Sequence, residues 1–297
     1  MKTKSIIIFL VIITSFTLCD AQNEKKEADF PELKGPYLGQ KPPGMTPEIF
    51  APGIISSTDI KEFSISFSPN GNEIFFYRLY ENYDAKIFYC RVVDGKWIAP
   101  EEFLVTAEYP SFIPCFTNDE NILYFNWRRP SPNGNLNEAS MWFTERTVNG
   151  WSEPQYAGKA MYLTSTRDGQ LYTGIRNSEN GDCISKITIE NGVFIDYEKQ
   201  NILPLNGEQS HPCIAPDGSY ILFDQGGDHL SVSFKMKDGT WGKTINLWEH
   251  GFDPIAGIAR ISSDGKYLFF KQGVESNRDI YWVSTKIIEK LKPKILK

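Results

Sequence analysis

The stretch Phe67-Ser68-Pro69-Asn70-Gly71-Asn72-Glu73-Ile74-Phe75-Phe76 decides the fold. It closes one apolar strand, turns tightly and opens a second. Asn-Gly tolerates the positive φ that a short hairpin needs, and Pro69 presets φ at the position before it. The phrase returns as Thr117-Asn118-Asp119-Glu120, Arg167-Asp168-Gly169, Pro216-Asp217-Gly218 and Ser263-Asp264-Gly265. The turn positions Gly71, Glu120, Gly169, Gly218 and Gly265 stand 49, 49, 49 and 47 residues apart. A period of about 40 to 50 residues belongs to propellers or helical arrays. Apolar residues at the 3.6-residue helical spacing are missing. Each unit instead carries short aromatic and β-branched runs between turn residues.

Working outward from the turn, the strand that follows is bulky in every unit: Ile74-Phe75-Phe76, Ile122 to Phe125, Leu171-Tyr172, Tyr220 to Phe223 and Tyr267 to Phe270. Such runs suit a strand covered by a neighbouring sheet on each face. A third strand is expected over residues 86–92, 140–144, 183–189, 230–235 and 279–284. A second turn then leads to an outer strand marked by Trp97, Trp151 and Trp241, with Phe194 substituting in the third unit. Four antiparallel strands per unit make a blade, so the sequence predicts an all-β, five-bladed β-propeller. Residues 47–55 read as an outer strand with no blade before it, and the last unit lacks one after Ser284. The N-terminal segment is therefore expected to complete the last blade and close the ring, which removes exposed edges. A sixth blade is the less favoured alternative, because the length leaves little room for it.

The segments Ser68 to Phe76, Ala215 to Phe223 and Asp279 to Ser284 resemble the TolB-like, WD-repeat-like propeller repeat of exported bacterial proteins, and the resemblance runs from about residue 47 to the end. It implies a periplasmic or secreted binding module, or a propeller attached to a peptidase. No Gly-x-Ser-x-Gly elbow is present, which excludes an appended serine peptidase. The third unit departs most, with Arg167 in place of the turn proline and no tryptophan.

At the N-terminus, Lys2 and Lys4 precede an apolar run over residues 5–18, the pattern of a secretory leader and too short to span a bilayer. Cleavage after Ala21 is expected, with acylation of Cys19 as the alternative. Residues 22–46 read as a polar, Pro/Gly-rich tether or strap, and residues 47–297 as the propeller. A net charge of −6 and a pI near 5.3 argue against nucleic acid as a partner. The chain is expected to be a monomer without a transmembrane span or cofactor. Of the cysteines beyond the leader, Cys115 and Cys213 hold the same position in units two and four, while Cys90 and Cys183 lie in third strands. That placement favours four free thiols. No Cys-x-x-Cys spacing supports zinc, and the turn aspartates Asp119, Asp168, Asp217 and Asp264 are explained by hairpin chemistry rather than calcium. The lysines from Lys286 onward read as a solvated helix end.

Propellers work around the central channel, so candidates are sought before each turn motif. These are Glu62, Glu108, Tyr109, Glu208, His211, Asp253 and Arg260, while Arg128, Arg129 and Arg176 follow second strands. Glu62, Glu108 and Glu208 recur six to nine residues before their turn motifs, which suits tying a loop to backbone N–H groups. A lone histidine is more often a hydrogen-bonded core residue than a catalyst, and Arg260 is expected to pair with a channel carboxylate. Gathered at one mouth, Glu62, Glu208, Asp253, His211 and Arg260 could bind a polar ligand. The reading is a non-enzymatic exported module for a protein, peptide or glycan of the cell envelope. The alternative is a carbohydrate-active hydrolase or lyase using paired carboxylates, and Asp253-Pro254 resembles a motif of five-bladed glycosidases.

Overall fold

Each repeat becomes one antiparallel sheet of a ring. The computed structural model describes residues 30–132, 140–175, 182–202, 208–226, 229–273 and 278–296. The segment expected to be a leader, with Cys19, and Arg176 lie outside the described residues. Blade 1 is built from Lys61–Phe67, Glu73–Leu79, Ala85–Val93 and Lys96–Trp97, and blade 2 from Ser111–Phe116, Ile122–Trp127, Ser140–Thr147 and Gly150–Trp151. Blade 3 comprises Met161–Ser165, Leu171–Ile175, Cys183–Glu190 and Val193–Lys199. Blade 4 comprises Gln209–Ile214, Tyr220–Gln225, His229–Phe234 and Ile245–Asn246. Blade 5 takes Gly257–Ile261, Tyr267–Gln272 and Asp279–Ser284 from the C-terminal end of the chain, and Glu48–Ile49 from the N-terminal side.

The bulky second strands explain why the blades stack. Successive side chains point to opposite faces. In blade 1, Phe75 and Tyr77 face blade 2, and Phe103 from the edge of blade 1 joins Phe116 and Trp151 of blade 2 in ringing Phe75 at centroid distances of 5.3, 5.5 and 6.1 Å. Ile74 and Phe76, on the other face, join the cluster of Phe269 and Trp282 from blade 5. All four residues from Ile74 to Tyr77 are buried. The turn before them behaves as its sequence requires. Gly71 has φ +74°, and Asn70 Oδ1 accepts the Asn72 N–H at 2.9 Å. Asp119, Asp217 and Asp264 do the same for the N–H two residues on, at 2.8, 3.0 and 3.0 Å.

Closure follows the expected route. Glu48 lies opposite Trp282 and Ile49 opposite Tyr281, and the Phe50 N–H donates to Ile280 O at 2.8 Å. Phe50 is wholly buried, 5.1 Å from both the Phe269 and Trp282 rings. Ser56 adds a two-way clasp, its Oγ bonding both the carbonyl and the N–H of Ile280. The preceding residues lie along the seam between blades 1 and 5. Leu33 bridges to Trp97, the Trp97 indole donates to Gly35 O at 2.7 Å, and Tyr37 packs on Phe67, Tyr267 and Trp282.

The outer strands differ from the simple expectation. In blades 1 and 2 the edge is split, with Glu101–Glu102 and Gln155–Lys159 returning to pair with the third strand. In blade 4 Trp241 makes only an isolated bridge to Lys235, and Ile245–Asn246 supplies the fourth strand. The four cysteines carry free thiols, with Cys90, Cys115 and Cys213 buried and Cys183 partly so. Among the described residues, no helix is long and apolar enough to cross a membrane.

Candidate functional site

The five inner strands line the channel, and each is interrupted halfway by a register shift. Seven residues before the turn positions stand Ser64, Ile113, Tyr162, His211 and Ile258. The last four adopt φ of +53°, +69°, +49° and +52°. Side chains are rarely placed in this left-handed region, and a bulge there re-aims them. In blade 3 the re-aimed residue is Tyr162. Its ring is wholly buried and its phenol donates to the Ala259 carbonyl of blade 5. Arg260 makes the return crossing: its Nη1 donates to Leu163 O at 2.7 Å, and its guanidinium sits 4.1 Å from the Tyr162 ring centroid. Blades 3 and 5 are not neighbours, so the stacked pair spans the ring and blocks the channel at mid-depth.

Above this crossing, on the face carrying the inner hairpins, lies a recess of about 100 Å³. Arg260, Ser66, Thr164 and Ser262 line it, with Asn118 and the exposed Arg167 at its edge. A second hollow of about 270 Å³ adjoins it and shares Phe67, Ser262 and Ser263. Tyr37 and Trp97 give that hollow aromatic walls and Asn72 supplies an amide, while the Asn70 amide is taken up by Glu120 and its own turn. The result is one polar-to-aromatic trough from the ring centre to the seam of blades 1 and 5.

Arg260 is 6% exposed, yet among the described residues no carboxylate pairs with it, which corrects the expectation of a channel ion pair. The residues nearest its charge are Tyr162 and the thiols of Cys115 and Cys213. Burial pushes the Cys213 thiol up to about 11 despite the pull of Arg260, and pushes Cys115 and Tyr162 upward too, so all three are neutral near pH 7.

The other candidates do not gather at this mouth. Glu62 is wholly buried in blade 1, where it accepts from Arg78 Nε at 3.1 Å and from the Ser57 hydroxyl at 2.9 Å and N–H at 3.3 Å. Burial pushes it up to about 7, against the opposing pull of Ser57 and Arg78. Arg78 in turn binds the carbonyls of Ile54 and Ile55, so the pair fastens the closing segment to blade 1. Glu108 and Tyr109 lie at a separate hollow of about 80 Å³ with Asp84, Lys86 and Glu102, on the face opposite the hairpins. The Tyr109 carbonyl accepts from the Trp127 indole at 3.0 Å. Glu208 is exposed, and its carbonyl accepts the Gly226 N–H. Asp253 caps the Ile255 N–H at 2.9 Å. Arg128 and Arg129 rest on aromatic rings of blade 2. Glu62, Glu208 and Asp253 thus do not line this recess. Among the described residues, only His211 and Arg260 are linked, each touching Tyr162. Their partners explain why: residues that begin inner strands face their own hairpin, and Glu62 meets Arg78 directly across it.

His211 is half-buried and its Nδ1 lies 2.9 Å from Asp224 Oδ2, while the Asp224 carboxylate also accepts the Ile258 N–H. The histidine therefore sits in a hydrogen-bonded core network linking blades 4 and 5. Tyr162 and Asp224 were not singled out from the sequence. Tyr162 carried a signal, since it stands seven residues before Gly169 as His211 does before Gly218. Asp224 carried a weaker one, lying across the inner hairpin from Ser210.

The fold and this closed ring define a five-bladed β-propeller. No family model and no curated protein matches the chain. Solved structures do. TolB from Acinetobacter baumannii superposes with a TM-score of 0.50 at 14% identity, covering 76% of this chain and 52% of that one. A protein described as a TolB from Agrobacterium tumefaciens gives 0.50 at 13%, covering 76% and 77%. A protein of unknown function from Dyadobacter fermentans gives 0.52 at 12%, covering 84% and 85%. The chain spans about half the length of the Acinetobacter TolB. At these identities the likeness is one of fold: TolB-like propellers are among the structural neighbours.

Proposed function

We propose that this chain is an exported propeller acting as a non-enzymatic binding module for a protein, peptide or glycan of the cell envelope, with the hairpin-side trough as its binding face. The observation that carries the reading is the Tyr162–Arg260 crossing, which turns the channel into a shallow recess continuous with an aromatic- and amide-lined hollow. Aromatic walls with a few convergent polar groups suit peptides and sugars. Of the carboxylates a hydrolase would use, Glu62 is bonded to Arg78, Asp224 to His211 and Asp253 to a backbone N–H, while the exposed Glu208 does not line the trough. Export rests on the leader sequence at residues 1–21.

Thermal unfolding of the purified chain against peptides and oligosaccharides tests this reading. A ligand that binds only the folded state adds about 2.7 kcal/mol at a hundredfold excess over Kd. A shift is expected with one ligand class, and it should be lost when Asn72 and Arg167 are both changed to Ala. Release of shortened products from any ligand replaces the binding module with the carbohydrate-active alternative. A shift that survives the double substitution moves the binding face away from the trough.

A further inference from the structure

We infer that the recess at the ring centre takes a carboxylate, held side-on by Nε and Nη2 of Arg260; this inference rests on the trough being the binding face. Both nitrogens are buried and find no oxygen or nitrogen acceptor among the described residues, the Cys115 thiol offering only a weak sulfur contact, whereas Nη1 is committed to Leu163 O. Nε and Nη2 form one edge of the guanidinium, and that edge matches the two oxygens of a carboxylate with parallel N–H···O bonds. The neighbouring Tyr162 ring and the thiols of Cys115 and Cys213 bring no countercharge. A buried cation without an anion is costly, so the site is electrostatically incomplete as folded.

The surroundings fit an oxyanion. Ser66 Oγ accepts the Phe116 N–H at 3.0 Å, which leaves its own O–H to donate into the recess. Arg167 adds a second positive charge at the edge. Nε and Nη2 are covered in this structure, so a ligand reaches them as the guanidinium tilts about its bond to the Leu163 carbonyl. The recess volume of about 100 Å³ admits a terminal group and not a chain. The carboxylate is therefore an end group, either the C-terminus of a peptide or the acid of a uronate, with the rest of the molecule along the neighbouring hollow.

Calorimetric titration of the full chain uses four probes: an acetylated tripeptide acid, the same peptide as its C-terminal amide, a galacturonate trimer, and a neutral galactose trimer. Inorganic phosphate and chloride serve as ion controls. At least one acid is expected to bind saturably, and its uncharged counterpart roughly tenfold more weakly or less, the size of a charge-assisted contact. Arg260→Lys keeps the charge and loses the fork, and should weaken the acid by a similar factor. The Arg260 Nε–H resonance should move on titration of the unaltered chain. Should Arg260→Lys fail to fold, Ser66→Ala and that resonance still decide the matter. The peptide acid binding alone assigns a chain terminus, and the galacturonate alone an acidic glycan. Equal binding of acid and uncharged probes removes the carboxylate but leaves the binding module standing. Absence of saturable acid binding, or binding with a stationary Arg260 resonance, overturns the inference.

Discussion

Replacing Glu62 by Gln tests whether this carboxyl is a scaffold group whose charge is disfavoured by its surroundings. The side chain is fully enclosed, and its folded-state pKa is raised from the ordinary 4.5 to about 7 by burial. The folded chain therefore holds this proton at pH values where the unfolded chain has lost it. Stability from this group is intact below pH 4.5, declines as pH rises through the window from 4.5 to 7, and is level above it. A difference of about 2.5 units at 1.36 kcal/mol each amounts to about 3 kcal/mol, to order of magnitude. The amide introduced by Glu62→Gln keeps the shape and cannot titrate. Urea unfolding of both proteins from about pH 4 to 8 should show wild-type stability, relative to Glu62→Gln, falling by up to that amount. Any constant offset reports the lost contact with Arg78 and does not bear on the slope. A difference that is flat with pH, or that rises with it, would refute the burial argument and make Glu62 an ionised partner of Arg78 throughout.

Two further outcomes follow from packing. Phe50→Ala empties the space between Phe269 and Trp282 and should cost about 3 to 5 kcal/mol in chemical denaturation. Tyr162→Phe leaves the Ala259 carbonyl without its donor and should cost about 1 to 2 kcal/mol in the same assay, with the ring still stacked under Arg260.

The blades were legible because a turn is a local event. Asn70-Gly71 and Asp217-Gly218 declare themselves within four residues, and their spacing sets the blade count. The completing strand was legible by subtraction, since residues 47–55 and the last blade each lacked what the other supplied. The site was not, because its contacts join residues far apart in sequence. Arg260 reaches Leu163 across 97 positions, and nothing near Arg260 in the chain hints at a tyrosine beneath it. The bulge that aims Tyr162 inward falls at the same step in every repeat, yet the residue there changes from Ser64 to Ile113 to His211. The frame thus marks the position and leaves its chemistry open. Contacts across one hairpin lie between these extremes: Glu62 faces Arg78 in simple register and could have been paired by counting from Gly71.

The clasp between Ser56 and Ile280 joins residues 224 positions apart. A ring sealed in this way cannot close before its last blade has been made. Its first-synthesised strand must wait, unpaired, until the last blade emerges. Loop-closure entropy over such a separation is large and is repaid only at the final step. Blades 1 to 4 can assemble in order from local hairpins, whereas the circle forms in a single late event. The order of birth and the order of completion are thus opposed at the N-terminus, and the lifetime of the open ring sets how long its two bare edges are exposed to other chains.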